Sequence, residues 1–234
     1  MKKVNFIGAY DKTDCIIYIA KILQTVGKKV LVVDSTTNQK AKYVVPAIKP
    51  TVSYITEFEE VDVAVGFYNL DDIKKYLSIS EEKEMEYDYI LIDIDKGEAL
   101  DDFDVRPEED NYFVTGFDLY SLKKGLEALN NLSEPLNLTK VLFSKGMLKE
   151  EDDYLNFLSA GYKIIWKENR VYFPIENGDA SALAENQRTE KIKFKTISQQ
   201  YRESLIFIAE EILKDTSDSK IRKAIRIFEK EKGV

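Results

Sequence analysis

The sequence has no histidine in its 234 residues and only one cysteine, Cys15. Without histidine, the chain lacks the commonest general base and the commonest metal ligand, and a Ser-His-Asp triad is excluded. A single cysteine excludes an internal disulfide and a metal site built from cysteines. The apolar runs are far shorter than a membrane span, and the N-terminus shows no signal-peptide pattern. We therefore expect a cytoplasmic protein.

Acidic residues outnumber basic ones, 42 to 34, which gives a formal net charge of −8. Because nucleic-acid binding depends on positive charge, no nucleic acid is expected to bind the main body of the protein. The chain is 44% hydrophobic and 32% charged, as is typical of globular proteins. Its length suits one well-buried domain.

The first 34 residues show the pattern of a βαβ unit. Residues 4–7 alternate or run apolar, which predicts a strand, and apolar residues then recur at helical spacing as far as Val26. Gly27 follows where a helix commonly ends, and residues 28–34 form a β-branched run typical of a strand buried on both faces. This order predicts parallel strands.

Strands and helices continue to alternate along the rest of the chain. Apolar patterns predict strands at residues 87–93, 111–116, 139–145 and 169–174, and helices at residues 119–132 and 197–213. We therefore predict an α/β fold, an open, mostly parallel twisted sheet with helices on both faces. Ligands of such sheets bind at the carboxyl ends of the strands, where Gly8, Asp34 and Asp93 are expected to meet.

The segment after the first strand has the outline of a phosphate-binding loop, because a glycine and a Lys-Thr pair precede a helix. The candidate nucleotide-binding residues are Gly8, Ala9, Tyr10, Asp11, Lys12, Thr13 and Asp14. A simpler alternative is a plain strand-to-helix turn, in which Asp11 or Thr13 caps the helix and Lys12 is solvated. Asp34 and Asp93 have a similar alternative, as acidic residues that end buried strands at the solvent.

Four segments, in order, resemble the MinD/ParA family of P-loop ATPases and together extend over residues 2 to about 213. They are "GAYDKTD" at the deviant Walker A position, "GKKVLVVDSTTNQ" at the Asp-x-Asp strand, "YDYILIDIDKG" at the Walker B strand, and "VYFPIENGDASALAENQ" beside the adenine pocket. The resemblance implies a P-loop NTPase-like fold, with Asp34 and Asp93 at the switch and Walker B positions. It also implies adenine-side positions at Ser144 and Pro174, ATP with Mg²⁺ as ligand, and a homodimer.

Several residues depart from the family pattern at functional positions. They are Ile7 for the signature lysine, Ala9 and Asp11 for two glycines, Asp14 for the second threonine, and Thr36 for the second aspartate of Asp-x-Asp. A non-glycine residue in left-handed backbone costs roughly 1–2 kcal/mol, and a carboxylate beside phosphate costs about 1 to 4 kcal/mol. The sum corresponds to a loss on the order of 10²–10³ in affinity. We therefore expect weak or lost ATP binding and little hydrolysis, and we assign no catalytic residue and no certain metal site.

The C-terminal segment is basic, although the protein as a whole is acidic. Residues 215–219 are predicted to form a hinge and residues 220–232 an amphipathic helix, which divides the chain into residues 1–214 and 215–234. The candidate contact residues of this helix are Lys220, Ile221, Arg222, Lys223, Ile225, Arg226 and Phe228. Three alternatives stay open: peripheral contact with the inner face of an anionic membrane, docking on the acidic body, or binding to a partner protein.

The leading hypothesis is a bacterial MinD/ParA-like pseudo-ATPase that acts as a spatial-positioning or assembly factor and resembles relatives of the TadZ/CpaE type. Its expected partners are a second copy of itself and a protein of a cytoplasmic or membrane-associated assembly. Residues 98–110, which are strongly acidic, are predicted to form a solvated loop near that dimer interface. The two rival hypotheses are an active ATPase with an atypical loop and a structural interaction module that never binds nucleotide.

Overall fold

A computed structural model of the chain describes residues 1–46, 52–80, 84–144, 149–174 and 177–231. Strands and helices alternate through these ranges. They are β1 Lys2–Ile7, α1 Thr13–Thr25, β2 Val30–Asp34, α2 Ala41–Val44, β3 Tyr54–Phe58, β4 Val61–Val65, α3 Leu70–Ser80, β5 Tyr89–Ile94, α4 Glu98–Asp102, β6 Asp110–Gly116, α5 Leu119–Glu127, β7 Leu136–Ser144, α6 Lys149–Ser159, β8 Ile164–Pro174, α7 Asn177–Arg188, a 3₁₀ turn at Phe194–Thr196, α8 Gln199–Leu213 and α9 Asp218–Glu231.

The strands form one sheet in the order β3-β4-β2-β5-β1-β6-β7-β8. Neighbouring strands run parallel, except β3 and β4, which pair antiparallel at one edge. In the centre, β1 lies between β5 and β6, and the register aligns Ile7 with Ile94 on one side and with Phe113 on the other. The predicted fold class, an open and mostly parallel sheet, is confirmed.

Alternate side chains of the central strands pack into two separate apolar cores, one on each face of the sheet. On the first face, Val4 and Phe6 pack with apolar residues of α1, α8 and α9. On the second face, Ile7 packs with apolar residues of α3, α4, α5 and α6. Because the central strands are covered on both faces, their sequences are nearly continuous apolar runs. The helices therefore lie on both faces, as predicted.

Most predicted strands are present, and the errors lie in polar segments. Five predicted strands correspond to β1, β2, β5, β6 and β7, although Lys145 lies outside the described residues. The helix predicted to reach Leu132 ends at Glu127, and β8 begins at Ile164 rather than at Asn169. The start of β8 escapes prediction because its middle is polar and exposed, where its register with β7 is irregular.

The acidic segment at residues 98–110 is not simply a solvated loop, so that prediction was wrong. It begins with the short helix α4, and it ends with Asp110 as the first residue of β6. Ala99, Leu100 and Phe103 are buried in the core of the second face. Their burial orders the segment, since the three apolar residues turn inward while the acidic residues stay at the surface.

The C-terminal helix α9 docks on the body through its apolar face. Ile221, Ile225 and Phe228 are buried in the same core as α1 and α8. The Lys21 ammonium lies 4.3 Å from the centre of the Phe228 ring, a cation–π contact with a buried lysine. Of the three alternatives that the sequence left open, docking on the body is the one observed, and it covers the apolar face of α9.

Arg222 fixes α9 further, since its guanidinium donates to Glu203 of α8 and to Asp218 at the start of α9. These carboxylates raise the pKa of Arg222 through hydrogen bonds.

Within the described ranges, no helix is both long enough and apolar enough to cross a membrane.

Candidate functional site

The topology brings the predicted loop and the two predicted aspartates to one rim of the sheet. Asp34, the last residue of β2, stands opposite Asp93 of β5 in the strand register. Gly8 directly follows β1, and its backbone N–H donates to the carbonyl of Ile94, 2.9 Å away. The meeting of these three residues, predicted from the carboxyl ends of parallel strands, is therefore observed.

Gly8 is required by the backbone at this point. Its φ is +141°, and a Cβ atom there would lie 2.2 Å from the carbonyl oxygen of Val114. None of residues 9–14, all of which the structure describes, has a positive φ. The loop thus takes a shape in which Ala9 and Asp11 need no left-handed backbone, and the strain expected from the missing glycines does not arise.

Lys12 is buried rather than solvated. Its ammonium donates to the carbonyl of Gly8 at 2.6 Å and lies 2.6 Å from Oδ1 of Asp93. Its residue exposure is only 3%. The plain-turn alternative placed Lys12 in water, and that part of it was wrong. Asp11 does accept a long bond of 3.3 Å from the backbone N–H of Thr13, at the start of α1.

Asp93 is a buried carboxylate in a crowded acidic environment. Burial raises its pKa to about 7, the positive charge of Lys12 opposes the rise, and the nearby carboxylate of Asp34 adds to it. A buried carboxyl group tends toward its neutral form unless a cation compensates it. The Lys12–Asp93 pair is therefore an internal charge balance in which the loop lysine is already engaged.

A second lysine, Lys40, closes the outer side of the loop. Its ammonium lies 2.5 Å from Asp11 and 3.3 Å from Asp14. Burial lowers the pKa of Lys40, but the charges and hydrogen bonds of Asp14 and Asp11 outweigh burial and raise it. Sequence reasoning missed this residue, because Lys40 precedes α2 and nothing in its own neighbourhood points to the loop.

Asp14 is also held by a residue of α7. Both of its carboxylate oxygens accept from the side-chain amide of Gln187 on α7, each at 2.8 Å. Asp14 thus connects α1 with α7 and, through Lys40, with the segment before α2. The residue that replaces the second threonine of the family motif acts here as a structural acceptor.

Asp34 serves to order the chain that follows β2. Its carboxylate accepts from the backbone N–H of Ala41 at 2.8 Å and from the backbone N–H of Thr36 at 3.0 Å. The hydroxyl of Thr36 donates to the same carboxylate at 2.6 Å and accepts from the backbone N–H of Gln39 at 3.0 Å. The hydroxyl of Thr36 is consequently committed to local structure.

The loop that follows β1 lines a cleft of about 280 Å³. Two cations, Lys12 and Lys40, line it together with the carboxylates of Asp11, Asp93 and Asp95. Each of the two cations is paired with one or more of the nearby carboxylates, so the cleft carries no excess positive charge for a polyphosphate. In the described residues, no cluster of three or more acidic or cysteine side chains is arranged to hold a metal ion.

Next to it lies a second cleft of about 340 Å³, which aromatic and apolar residues line together with charged ones such as Asp14 and Asp179. Tyr10 stacks on Phe143 with the ring centres 4.6 Å apart, and Phe143 stacks on Phe173 at 4.7 Å. Of the two adenine-side candidates, Pro174 lines this cleft. Ser144 does not, and its hydroxyl donates to Glu151 at 2.9 Å.

Cys15 lies at the bottom of this second cleft but is almost completely buried. Burial, reinforced by the nearby carboxylates of Asp14 and Asp93, raises the pKa of its thiol well above the ordinary value. A thiol in that state is a poor nucleophile, so Cys15 acts as a small core residue.

Taken together, the sheet order, the strand–loop–helix at Gly8 and the facing aspartates of β2 and β5 define the fold of the MinD/ParA P-loop ATPases. A chain of the MinC:MinD cell division protein complex of Aquifex aeolicus has a TM-score of 0.57 with this chain at 12% identity, covering 93% of this chain and 97% of that one. The ParA family ATPase of Chlorobium tepidum TLS also has a TM-score of 0.57, at 14% identity, covering 89% and 97%.

A third similar structure is an ATP complex of McdA from Cyanothece, with a TM-score of 0.55 at 10% identity, covering 93% of this chain and 98% of that one. No protein-family model matches the sequence, and no curated protein matches it either. Identities this low establish a common fold and not a common activity.

Proposed function

We propose that this protein is a MinD/ParA-like spatial-positioning or assembly factor whose nucleotide site has decayed, so that ATP with Mg²⁺ binds weakly and is hydrolysed little. The pairing of both site lysines with carboxylates carries this proposal. A triphosphate would have to displace Lys12 from Asp93 and Lys40 from Asp11 and Asp14 before either cation could contact it. Separating the buried Lys12–Asp93 pair would remove the counter-charge of Asp93, which would then either stay ionised in the interior at a high cost or take up a proton.

Two further observations support weak hydrolysis. Ile7, at the signature-lysine position, is fully buried in an apolar core and cannot present a charge to a neighbouring subunit. Thr36, which replaces the second aspartate of the family motif, uses its hydroxyl within its own loop. Phosphoryl transfer relies on positive charge and on a group that positions the attacking water, and neither residue supplies these.

The positioning or assembly role rests on the fold. Solved structures with this fold include a cell division protein complex and a ParA family ATPase. A homodimer, a protein partner in a cytoplasmic or membrane-associated assembly, and likeness to the TadZ/CpaE type are parts of the same proposal. The division into residues 1–214 and 215–234 belongs to it too. Peripheral contact of α9 with a membrane is the alternative to the docked helix, since it would require α9 to undock and expose Ile221, Ile225 and Phe228.

Steady-state ATP turnover with Mg²⁺ tests the proposal, with Lys12→Ala as the matched control. We expect negligible turnover in both proteins, and a difference between them no larger than the assay error. Brisk turnover that is abolished by Lys12→Ala would instead establish the rival, an active ATPase with an atypical loop.

A further inference from the structure

We propose that the outward face of α9 on one copy of the chain docks on the outward face of α6 on a second copy, so that copies associate head to tail. This contact does not involve the nucleotide cleft, and it is independent of the proposed function above.

The outward face of α9 carries a row of uncompensated cations. Lys220, Lys223, Arg226 and Lys230 are exposed at intervals of three or four residues. In the part of the chain that the structure describes, none of them forms an ion pair, whereas Arg222 on the inner side pairs with Glu203. Like charges at this spacing on a helix repel each other. An acidic surface placed against this face would relieve that repulsion.

The outward face of α6 has the complementary chemistry. Glu150, Asp153, Tyr154 and Phe157 follow at helical spacing and are exposed, and Phe157 as a whole residue is 75% exposed. Leu155 points the other way and is buried in the core of the second face. Within the described residues, neither Glu150 nor Asp153 has an ion-pair partner. The face is therefore acidic, with an aromatic patch that has no apolar cover.

The two faces match each other in charge and in apolar content. The cations of α9 would lie against Glu150 and Asp153 and over the ring of Tyr154, where a cation–π contact adds attraction. Ile227, which is 45% exposed on the outer side of α9, supplies an apolar side chain for Phe157. The α9 face thus supplies cations and an apolar side chain, and the α6 face supplies carboxylates and aromatic rings.

The positions of the helices exclude this contact within one chain. α9 packs in the core of the first face of the sheet, and α6 packs in the core of the second. The contact therefore joins the α9 of one copy to the α6 of the next, which is a heterologous contact that repeats along an open assembly. Because one helix pair buries less area than a standard interface, the association is expected to be weak and sensitive to salt.

Other anionic occupants of the α9 face fit less well. A membrane-bound helix inserts its apolar face between lipids, but Ile221, Ile225 and Phe228 are buried in the body. A nucleic acid would approach a protein with a net charge of −8. A second copy supplies acidic and aromatic groups together.

Sedimentation velocity of the full chain tests the contact with two charge-reversal variants. The first reverses the α9 face, Lys223→Glu with Arg226→Glu, and the second reverses the α6 face, Glu150→Lys with Asp153→Lys. The matched control is Lys75→Glu with Lys191→Glu, which reverses two exposed cations outside both faces and carries the same net charge as the first variant. All changed residues are at the surface, so folding should be unaffected, and circular dichroism checks this.

We expect wild-type protein and the control to associate at low salt and to dissociate at high salt. Each variant alone should associate at least about tenfold more weakly, because two attractive pairs become repulsive. An equimolar mixture of the two variants should regain association, since the acidic α9 of one meets the basic α6 of the other. Failure of the mixture to associate would overturn the proposal, as would a wild type that stays monomeric at low salt while binding anionic vesicles or DNA.

Discussion

The ammonium of Lys12 lies 2.6 Å from Oδ1 of Asp93, and both side chains are buried. The lysine of the loop therefore faces the interior of the protein, where it compensates a carboxylate at the end of β5. On the outer side, Lys40 pairs with Asp11 and Asp14, where these side chains are partly exposed. The fold is that of the MinD/ParA P-loop ATPases, and both lysines of the candidate site are paired with carboxylates of the chain itself.

The first prediction concerns the pH dependence of stability through Asp93. Its pKa is raised to about 7 in the folded protein, mainly by burial, against about 4 for an unfolded aspartate. Between about pH 4 and about pH 7, the folded state holds a proton on Asp93 that the unfolded state lacks. The contribution of this proton to the free energy of unfolding is therefore full below about pH 4 and is lost as the pH rises through about 7. Asp93→Asn removes the titration.

Thermal melts measure this effect as the stability of Asp93→Asn minus that of the wild type. The difference should rise by about 2 kcal/mol between about pH 5.5 and about pH 8.5. Asp101→Asn, at an exposed position on α4, is the control and should show no comparable trend. A flat difference for Asp93→Asn would mean that Lys12 keeps Asp93 ionised throughout this range.

The second prediction is that removing the outer carboxylates restores nucleotide affinity. In Asp11→Gly with Asp14→Thr, Lys40 loses both partners and becomes available to a phosphate, while two negative charges leave its surroundings. Affinity for ATP·Mg²⁺ should increase by on the order of tenfold to a hundredfold. Turnover should increase much less, because Ile7 and Thr36 are unchanged.

The isosteric variant Asp11→Asn with Asp14→Asn removes the two negative charges but keeps the size of the side chains. The same titration of this variant therefore distinguishes the effect of charge from the effect of side-chain size. The isosteric variant should also raise the affinity, whereas the exposed pair Asp72→Asn with Asp102→Asn should not. If only the glycine-containing variant gained affinity, loop shape rather than charge would be the obstacle.

The third prediction concerns the docked helix α9. Phe228→Ala removes a buried ring and its contact with the Lys21 ammonium, and it should cost about 3 kcal/mol of unfolding free energy. Arg226→Ala, at an exposed position on the same helix, should be nearly neutral. Truncation after Asp215 removes all three buried apolar residues of α9 and should lower the Tm by on the order of 10 °C. Unchanged melting after truncation would contradict the docking.

What the sequence could predict depended on how local the determining interactions are. The strands at Val30–Asp34 and Tyr89–Ile94 were predictable because burial on both faces leaves a continuous apolar run. The hairpin of β3 and β4 was not predicted. β3 lies at the edge of the sheet and mixes polar and apolar residues, whereas β4 is largely buried and apolar and was missed. The amphipathic pattern of α9 indicated a face to be covered but not what covers it.

The candidate site shows the same limit. The meeting of Gly8 with Asp34 and Asp93 follows from the order of parallel strands and was predicted. The bridge from Lys40 to Asp11 and the bond from Gln187 to Asp14 join residues 29 and 173 positions apart. Contacts between residues so far apart in sequence depend on the tertiary fold, which the local sequence does not determine. The pairing of charges in the site could therefore be known only from the structure.

The fourth prediction is that self-association does not respond to nucleotide. Ile7 is buried and offers no charge to a partner's nucleotide, so ATP·Mg²⁺ should leave the sedimentation profile unchanged at any protein concentration. Salt, in contrast, should shift the profile if the α9 and α6 faces meet. A monomer that dimerises only with ATP·Mg²⁺ would show that the site still works as a switch.

Equilibrium titration of the purified wild-type chain with ATP·Mg²⁺ tests the decayed-site account most directly, because it measures whether a triphosphate can displace the internal pairs of Lys12 and Lys40. We expect a Kd on the order of 1 mM or weaker, which corresponds to a binding free energy of about 4 kcal/mol or less. Saturable binding with a micromolar Kd that is lost in Lys12→Ala would contradict the account.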